Sequence, residues 1–117
     1  MRDPRVRLLD MLDAIAAIER YRDRDRSAFD SDELLQVWFL WHLQIISEAA
    51  RRLPDQIRSL APDNPWHKII GMRNILVPGY FRVDLDVVWD AVQQDAPLLR
   101  PAVEALLKRL EDQGYGG

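Results

Sequence analysis

Apolar residues recur at helical spacing along most of the chain. In the N-terminal segment these positions are Val6, Leu9, Leu12, Ile15, Ala16 and Tyr21. A three- to four-residue spacing places side chains on one face of a helix, so the pattern predicts a helix over about residues 4–22. The stretch that follows, RDRDRSAFDSDE, alternates in charge, and we interpret it as a solvated loop.

A second helix is predicted over about residues 31–53. Asp30 followed by Glu33 is typical of a capping box at its start. The helix contains LLQVWFLWHLQIISEAARRL, which is apolar on more than one face, and three large rings lie close together in it: Trp38, Phe39 and Trp41. One small core cannot receive all three rings. We therefore expect this helix to be central in a bundle and also to contribute a dimer face.

Shorter helices are predicted in the C-terminal half, each with a start signal. Pro54 occupies a permitted first position of a helix in PDQIRSLA. Asn64 can cap, and Pro65 can start, a helix over PWHKIIGMRNILV. Asp84 is expected to cap LDVVWDAVQQ, and Asp95 to start APLLRPAVEALLKRLE.

The predicted fold class is all-α, a small up-and-down bundle of four to five helices. No stretch alternates between apolar and polar residues for long, and no Asn-Gly hairpin signal occurs, so no strand is predicted. With 117 residues the chain fits one domain, which we expect to span residues 1–117.

Composition and charge narrow the function classes. The formal net charge of −3 argues against a protein that coats RNA or DNA non-specifically, although it permits a local phosphate site. The absence of cysteine excludes disulfides, thiolate metal sites and a cysteine nucleophile. Asp3, Asp10 and Asp13 disfavour a signal peptide, and the longest apolar run, 37–41, is too short to span a membrane. A cytoplasmic protein without membrane contact is expected.

Few side chains suggest chemistry by residue type alone. The sequence has no Gly-rich phosphate loop and no His-Glu-x-x-His pair, and no metal site is predicted. We interpret His67 as a surface residue and His42 as packed or interfacial. Glu48 lies three and four residues before Arg51 and Arg52, a spacing that favours salt bridges along one helix face.

The stretch RNILVPGYF combines polar side chains with a break in the helical pattern. Arg73 and Tyr80 are seven residues apart, so they would share a face of a continuous helix. Pro78 and Gly79 interrupt that helix, because proline lacks the backbone donor and clashes with the preceding turn. Periodicity alone favours a surface role for Arg73 and a packing role for Tyr80.

A resemblance to a known family changes this interpretation. The segment PWHKIIGMRNILVPGYFRVDLDVVWDAVQQDAPLLRPAVEALL is similar to the C-terminal half of the HepT-like toxins of the HEPN superfamily. LQIISEAARRLPDQI resembles their second-helix segment, in which a glutamate, here Glu48, precedes small residues. The resemblance covers residues 34–107. The Pro-Trp, Gly-Met-Arg-Asn, Gly-Tyr-Phe, Val-Asp and Trp elements all fall at the family's spacing.

The family's signature is an Arg, four residues, a His, any residue and a Tyr. Arg73 matches the Arg and Tyr80 matches the Tyr, but Pro78 occupies the histidine position. Asn74, which follows the motif arginine, and Glu48 are expected to support the site. Pro78 is either natural to a degenerate member or a detoxifying change selected during cloning, because one base separates common His and Pro codons.

The resemblance implies the toxin of a type VII-like toxin–antitoxin system of the HepT/MntA type. Such a protein is a metal-independent endoribonuclease that needs no cofactor and pairs as a homodimer around one cleft. Its antitoxin would be an MntA-like minimal nucleotidyltransferase that transfers AMP from ATP to the motif tyrosine, here Tyr80. The alternative is a non-enzymatic helical dimer module that binds the antitoxin, a nucleotide or RNA without cleavage. A generic helical bundle with an unrelated role is a third, weaker alternative.

The residue types explain why Pro78 matters. RNA cleavage by its own 2′-hydroxyl needs one proton removed, one delivered and the charge of the phosphorane stabilised. The guanidinium of Arg73 suits the charge, and a histidine would suit the proton transfers. Proline can transfer no proton, so this chain is expected to be catalytically impaired.

Overall fold

The computed structural model describes residues 3–72, 76–77 and 82–114. It is a small all-α bundle, as the sequence predicts. The helices are α1 Pro4–Glu19, α2 Arg26–Ser31, α3 Glu33–Arg52, α4 Asp55–Arg58, α5 Trp66–Gly71, α6 Leu85–Asp90 and α7 Ala96–Asp112. A π-helical segment, Ala91–Asp95, joins α6 to α7. Two short strands, β1 Leu76–Val77 and β2 Arg82–Val83, lie between α5 and α6.

The longest helix, α3, is the centre of the bundle. It packs against α1, α2, α5 and α6, and α7 packs against α1. Side chains with no solvent exposure on α1, α3 and α7 form the core: Leu8, Met11, Ile15, Ile18, Phe39, Leu43, Ile46 and Val103. The predicted central position of the second long helix is confirmed.

The three rings on α3 have three different environments. Phe39 is fully buried, whereas Trp41 is 65% exposed. Trp38 is half-buried, and its indole Nε1 donates a hydrogen bond of 2.8 Å to the carbonyl of Ala17. A single core therefore does not receive all three rings, as the sequence indicated.

The predicted loop after the first helix is wrong in part. The first helix ends at Glu19, and the charged stretch contains the helix α2. Asp25 caps it through a hydrogen bond of 2.7 Å from the amide of Ala28. Phe29, the one large apolar residue of the stretch, is fully buried and holds the short helix against the core. A single buried ring is too weak a periodic signal for sequence analysis to detect.

The predicted capping box at the start of α3 is also wrong. Asp32, not Asp30, is the N-cap, and its carboxylate accepts a hydrogen bond of 3.1 Å from the amide of Leu35. The carboxylate of Asp30 instead pairs with Arg26, one turn earlier on α2, at 2.7 Å. Either aspartate could cap a helix that begins here. Asp30 lies within α2, so Asp32 is the residue that precedes α3.

The shorter helices begin close to their predicted starts. Pro54 and Pro65 are the N-caps of α4 and α5, one position before the first helical residue. Neither helix has a side-chain cap, so the predicted capping role of Asn64 is not found. Asp84 caps α6 as predicted, accepting hydrogen bonds from two amides. Asp95 makes no cap hydrogen bond, because the residues before α7 are already helical, as part of the π-helical segment.

The helix predicted to reach Val77 ends early, and the prediction of no strand is wrong at this place. α5 ends at Gly71, and β1 pairs antiparallel with β2 in the register Leu76↔Val83 and Val77↔Arg82. A residue that precedes proline is pushed from helical to extended backbone, which agrees with a strand at Val77.

Candidate active site

The four predicted motif positions cannot be placed in the structure. Arg73, Asn74, Pro78 and Tyr80 lie outside the described residues. The structure describes instead the elements that lead into and out of the motif, which are α5, the two strands and α6. It also describes Glu48 on α3.

A hydrogen bond from a buried hydroxyl fixes the end of α5 just before the motif. Ser47 on α3 is fully buried, and its hydroxyl donates a hydrogen bond of 2.7 Å to the carbonyl of Ile70. The last carbonyls of a helix have no partner within that helix, so this hydroxyl satisfies one of them. Ile69 and Met72, on either side, are 3% and 7% exposed. The last described residues before position 73 are therefore anchored to α3.

Two further contacts hold α5 in place. The indole Nε1 of Trp66, the first residue of α5, donates hydrogen bonds of 3.0 Å to the carbonyls of Arg58 and Ala61. The ammonium of Lys68 lies 2.9 Å from the carboxylate of Asp95 in the π-helical segment. Helix α5 is thus tied to α3, to the α4 region and to the segment before α7.

We expect loss of the Ser47 hydroxyl to weaken the fold. Ser47→Ala leaves the carbonyl of Ile70 without this donor, which typically costs about 1–3 kcal/mol of unfolding free energy. Ser31→Ala is the matched control, because the hydroxyl of Ser31 also donates to carbonyls but is exposed. Urea denaturation followed by circular dichroism measures both. Equal stability of the two variants would contradict a structural role for the buried hydroxyl.

The exit from the motif is anchored by α2. Residues 78–81 join the two strands, and α6 follows directly after Asp84. The guanidinium of Arg26 bridges Asp30 at 2.7 Å and Asp86, on α6, at 2.5 Å. It also lies 5.8 Å from the ring centroid of Trp89. The hydrogen bonds that Arg26 donates to Asp30 and then to Asp86 raise the pKa of Arg26, so its guanidinium stays ionised.

Glu48 forms the salt bridges that its spacing indicated. Its Oε1 lies 2.6 Å from Nη2 of Arg51 and 2.8 Å from Nε of Arg52. The hydrogen bonds from Arg51 and then Arg52 lower the pKa of Glu48 to about 2. A carboxylate with such a pKa stays ionised near neutrality and is a poor general acid or base there. Glu48 can support a site by balancing charge, but not by moving protons.

The two histidines are placed as the sequence indicated. His67 is exposed on α5. His42 is half-buried, with its Nδ1 2.8 Å from the carbonyl of Trp38 and its ring centroid 4.4 Å from that of Trp38. The described residues contain no group of three or more potential metal ligands. In the same part of the chain, no helix is long and apolar enough to cross a membrane.

Sequence reasoning missed the anchors of α5. The signal for Ser47 was present, because it occupies a polar position on the buried face formed by Leu43, Ile46 and Ala50. The pairing of Lys68 with Asp95 carried no local signal, since the two residues are 27 positions apart.

Comparison with known proteins finds a ribonuclease family and relatives named as ribonucleases. The sequence model of the family described as "Ribonuclease HepT-like" matches residues 11–106, which include every motif position. A protein of Methanocaldococcus jannaschii, named provisionally as an RNase, is 34% identical over 104 residues, covering 88% of this chain and 95% of the relative. The "Probable ribonuclease HepT" of Thermococcus cleftensis is 35% identical over 102 residues, covering 86% and 93%.

A third relative comes from another organism. A protein of Caldanaerobacter subterraneus, also named provisionally as an RNase, is 33% identical over 92 residues, covering 79% of this chain and 82% of the relative. No solved structure matches the chain significantly.

Proposed function

The chain belongs to the HepT-like ribonuclease family, and from this premise we propose that it is an endoribonuclease toxin whose active site is impaired by Pro78. The observation that carries the proposal is the spacing of Arg73 and Tyr80 within the matched region, with proline at the position between them that the signature assigns to histidine. Its substrate would be RNA in the cytoplasm.

The proposed reaction needs no metal ion. The 2′-hydroxyl of the RNA would lose its proton as its oxygen attacks the adjacent phosphorus, the bond from phosphorus to the 5′-oxygen would break, that oxygen would take up a proton, and a cyclic phosphate would remain. Arg73 would stabilise the negative charge of the phosphorane, because a guanidinium is always ionised and can pair with two oxygens. Cleavage measured in the presence of EDTA, with this chain and with its Pro78→His variant, tests the proposal.

The described structure supports this role through rigidity on both sides of the motif. The buried hydroxyl of Ser47 holds the turn that precedes Arg73, and the bridge made by Arg26 holds the helix that follows. Catalysis by positioning and charge requires such rigid supports, since small misplacements of a charged group cost large factors in rate. We propose that both anchors serve to position the motif.

A homodimer is proposed on the exposed apolar face of α3. Val37 and Trp41, one turn apart, are 56% and 65% exposed. Asp10 and Arg52 line a groove beside Trp41, so charges of both signs surround the apolar centre. An apolar centre with a mixed charged rim is the usual composition of a protein interface.

We expect Trp41→Glu to convert the dimer to a monomer. A carboxylate buried at the centre of the interface would lose its hydration without gaining a partner. Leu98→Glu is the control, because Leu98 is 74% exposed on α7, a helix that contributes no residue to this face. Light scattering at micromolar concentration measures the mass of both variants and of the unaltered chain. A monomeric unaltered chain, or a dimeric Trp41→Glu variant, would exclude this interface.

The proposed partner is an MntA-like minimal nucleotidyltransferase that transfers AMP to Tyr80. The second candidate function is a helical dimer module that binds this antitoxin or RNA without cleavage, and Pro78 is the observation that favours it. The Pro78→His variant distinguishes the two candidates. It should cleave RNA if the chain is an impaired toxin, and it should not if the chain is a binding module.

A further inference from the structure

Two aromatic rings form a corner where α1 ends and α3 begins. The ring centroids of Tyr21 and Trp38 are 5.5 Å apart, and their planes meet at 80°. We call this feature the aromatic corner. It opens onto a cavity of about 200 Å³ that is lined by Tyr21, Arg24, Asp32, Leu34, Leu35 and Trp38. Leu34 is 82% exposed, so one wall of the cavity is apolar and has little cover from the rest of the fold.

Two arginines lie over these rings without a carboxylate partner. The guanidinium of Arg20 is 5.8 Å from the centroid of Trp38, and that of Arg24 is 5.6 Å from the centroid of Tyr21. Both side chains are exposed, and neither forms an ion pair within the described residues. Most other described arginines do form ion pairs, among them Arg5, Arg26, Arg51, Arg52, Arg58 and Arg100. The corner therefore carries two guanidinium groups without an ion-pair partner among the described residues, beside the carboxylate of Asp32.

We propose that the aromatic corner binds an unpaired base of single-stranded RNA, with the flanking phosphates at Arg20 and Arg24. Bases stack on aromatic rings and on guanidinium planes, and arginines beside them neutralise the backbone. The proposal rests on the proposed function only in taking RNA as the substrate. It adds a binding subsite built entirely from residues outside the Arg73–Tyr80 motif.

The carboxylate of Asp32 favours a base over a bare anion in the cavity. It lines the cavity together with the rings and would repel a phosphate placed there. The phosphates therefore belong outside, at the exposed arginines, while the neutral base enters. The amino group of a base could donate to this carboxylate, as carboxylates accept from cytosine N4.

The first test removes the two unpaired charges. The double variant Arg20→Gln, Arg24→Gln should bind a fluorescein-labelled 2′-O-methyl oligonucleotide about tenfold more weakly or worse at low salt. The matched control is Lys108→Gln, Arg109→Gln, which removes the same charge from exposed positions on α7. Single-stranded binding loses about 0.7 in the slope of log K against log salt for each phosphate contact, so the double variant should lower the slope by about 1.4.

The second test removes the ring and keeps the charges. Tyr21→Leu should weaken binding about 5- to 150-fold, the usual range for loss of one stacked base, with the salt slope unchanged. Tyr21→Phe keeps the ring and should bind like the unaltered chain. Trp38 is left in place, because its indole hydrogen bond to Ala17 supports the fold. Circular dichroism checks that each variant folds. If Tyr21→Leu unfolds, the double variant Arg20→Gln, Arg24→Gln still tests the proposal.

A third arm separates base from phosphate. An oligomer of the same length with abasic sites should bind no more tightly to the unaltered chain than to Tyr21→Leu. The proposal is overturned if the unaltered chain binds no oligonucleotide, or if the arginine double variant matches its control. Equal binding of abasic and base-containing oligomers also overturns it.

The probe cannot be cleaved, because its 2′-oxygens are methylated. Binding by the aromatic corner can thus stand even if Pro78→His proves inert, and it can fail even if Pro78→His cleaves RNA. The two results are independent.

Discussion

Replacing Pro78 with histidine should raise metal-free RNA cleavage by about 10²- to 10⁴-fold, the usual contribution of a positioned general acid–base group. Arg73, Asn74 and Tyr80 are present at the family's spacing, whereas proline at position 78 has no group that can transfer a proton. An imidazole titrates near neutrality, so it can take a proton from the 2′-hydroxyl or give one to the leaving oxygen. RNA cleavage with EDTA present, by this chain and by Pro78→His, measures the gain.

Two controls make this result interpretable. Arg73→Ala in the Pro78→His background should return cleavage to background, because the charge of the phosphorane loses its partner. Arg109→Ala in the same background should leave most activity, since Arg109 is an exposed residue of α7, which contributes neither to the motif nor to the proposed dimer face. If the unaltered chain cleaves as fast as Pro78→His, the proposed mechanism is wrong for this protein. If Pro78→His is folded, dimeric and inert, the binding-module alternative takes its place.

The structure lowers the expected cost of proline at position 78. A proline inside a helix costs about 3 kcal/mol or more, and the sequence pattern predicted a helix through Val77. Val77 is instead paired in a strand with Arg82, so the residue that precedes the proline is extended rather than helical. The unaltered chain and Pro78→His should therefore have similar stability, and a difference in cleavage would report chemistry rather than folding.

The helices could be predicted from sequence wherever apolar residues recur over several turns. The apolar stripes of α1, α3 and α7 each extend over several turns, and their predicted positions are within a few residues of those observed. α2 was missed because one buried ring, Phe29, holds six residues in place. The cap of α3 was assigned to Asp30 rather than Asp32, because the sequence pattern did not show that Asp30 belongs to the preceding helix, α2.

The candidate site could be located from sequence only through its motif. The spacing of Arg73, Pro78 and Tyr80 is a local feature that a family resemblance can detect. The supports of the motif are not local. Ser47 reaches Ile70 across 23 positions, and Arg26 reaches Asp86 across 60. Such contacts depend on how the helices pack, which periodicity predicts only in outline.

Transfer of AMP to this chain should occur on Tyr80 and should be lost completely in Tyr80→Phe. In the proposed reaction the phenol oxygen attacks the α-phosphorus of ATP, the bond to pyrophosphate breaks, and the phenol loses its proton. In the proposed site the product would place a phosphodiester beside Arg73, which would pair with it and would then no longer be free for RNA. Incubation with an MntA-like nucleotidyltransferase and ATP, followed by peptide mass spectrometry, identifies the modified residue.

The matched control for this assay is Tyr21→Phe, which removes the phenol of a half-buried tyrosine at the end of α1 and should leave labelling unchanged. Labelling should be measured both in the unaltered chain and in Pro78→His, so that an effect of proline on the position of the tyrosine is separated from the identity of the acceptor. In the Pro78→His background, AMP on Tyr80 should also abolish RNA cleavage, because the added anion occupies the space that the substrate phosphate needs. Undiminished labelling of Tyr80→Phe would show that the acceptor is another residue. Labelling of Tyr80 without loss of cleavage would show that the modified tyrosine lies apart from the RNA site, and the shared role proposed for Arg73 would then be wrong.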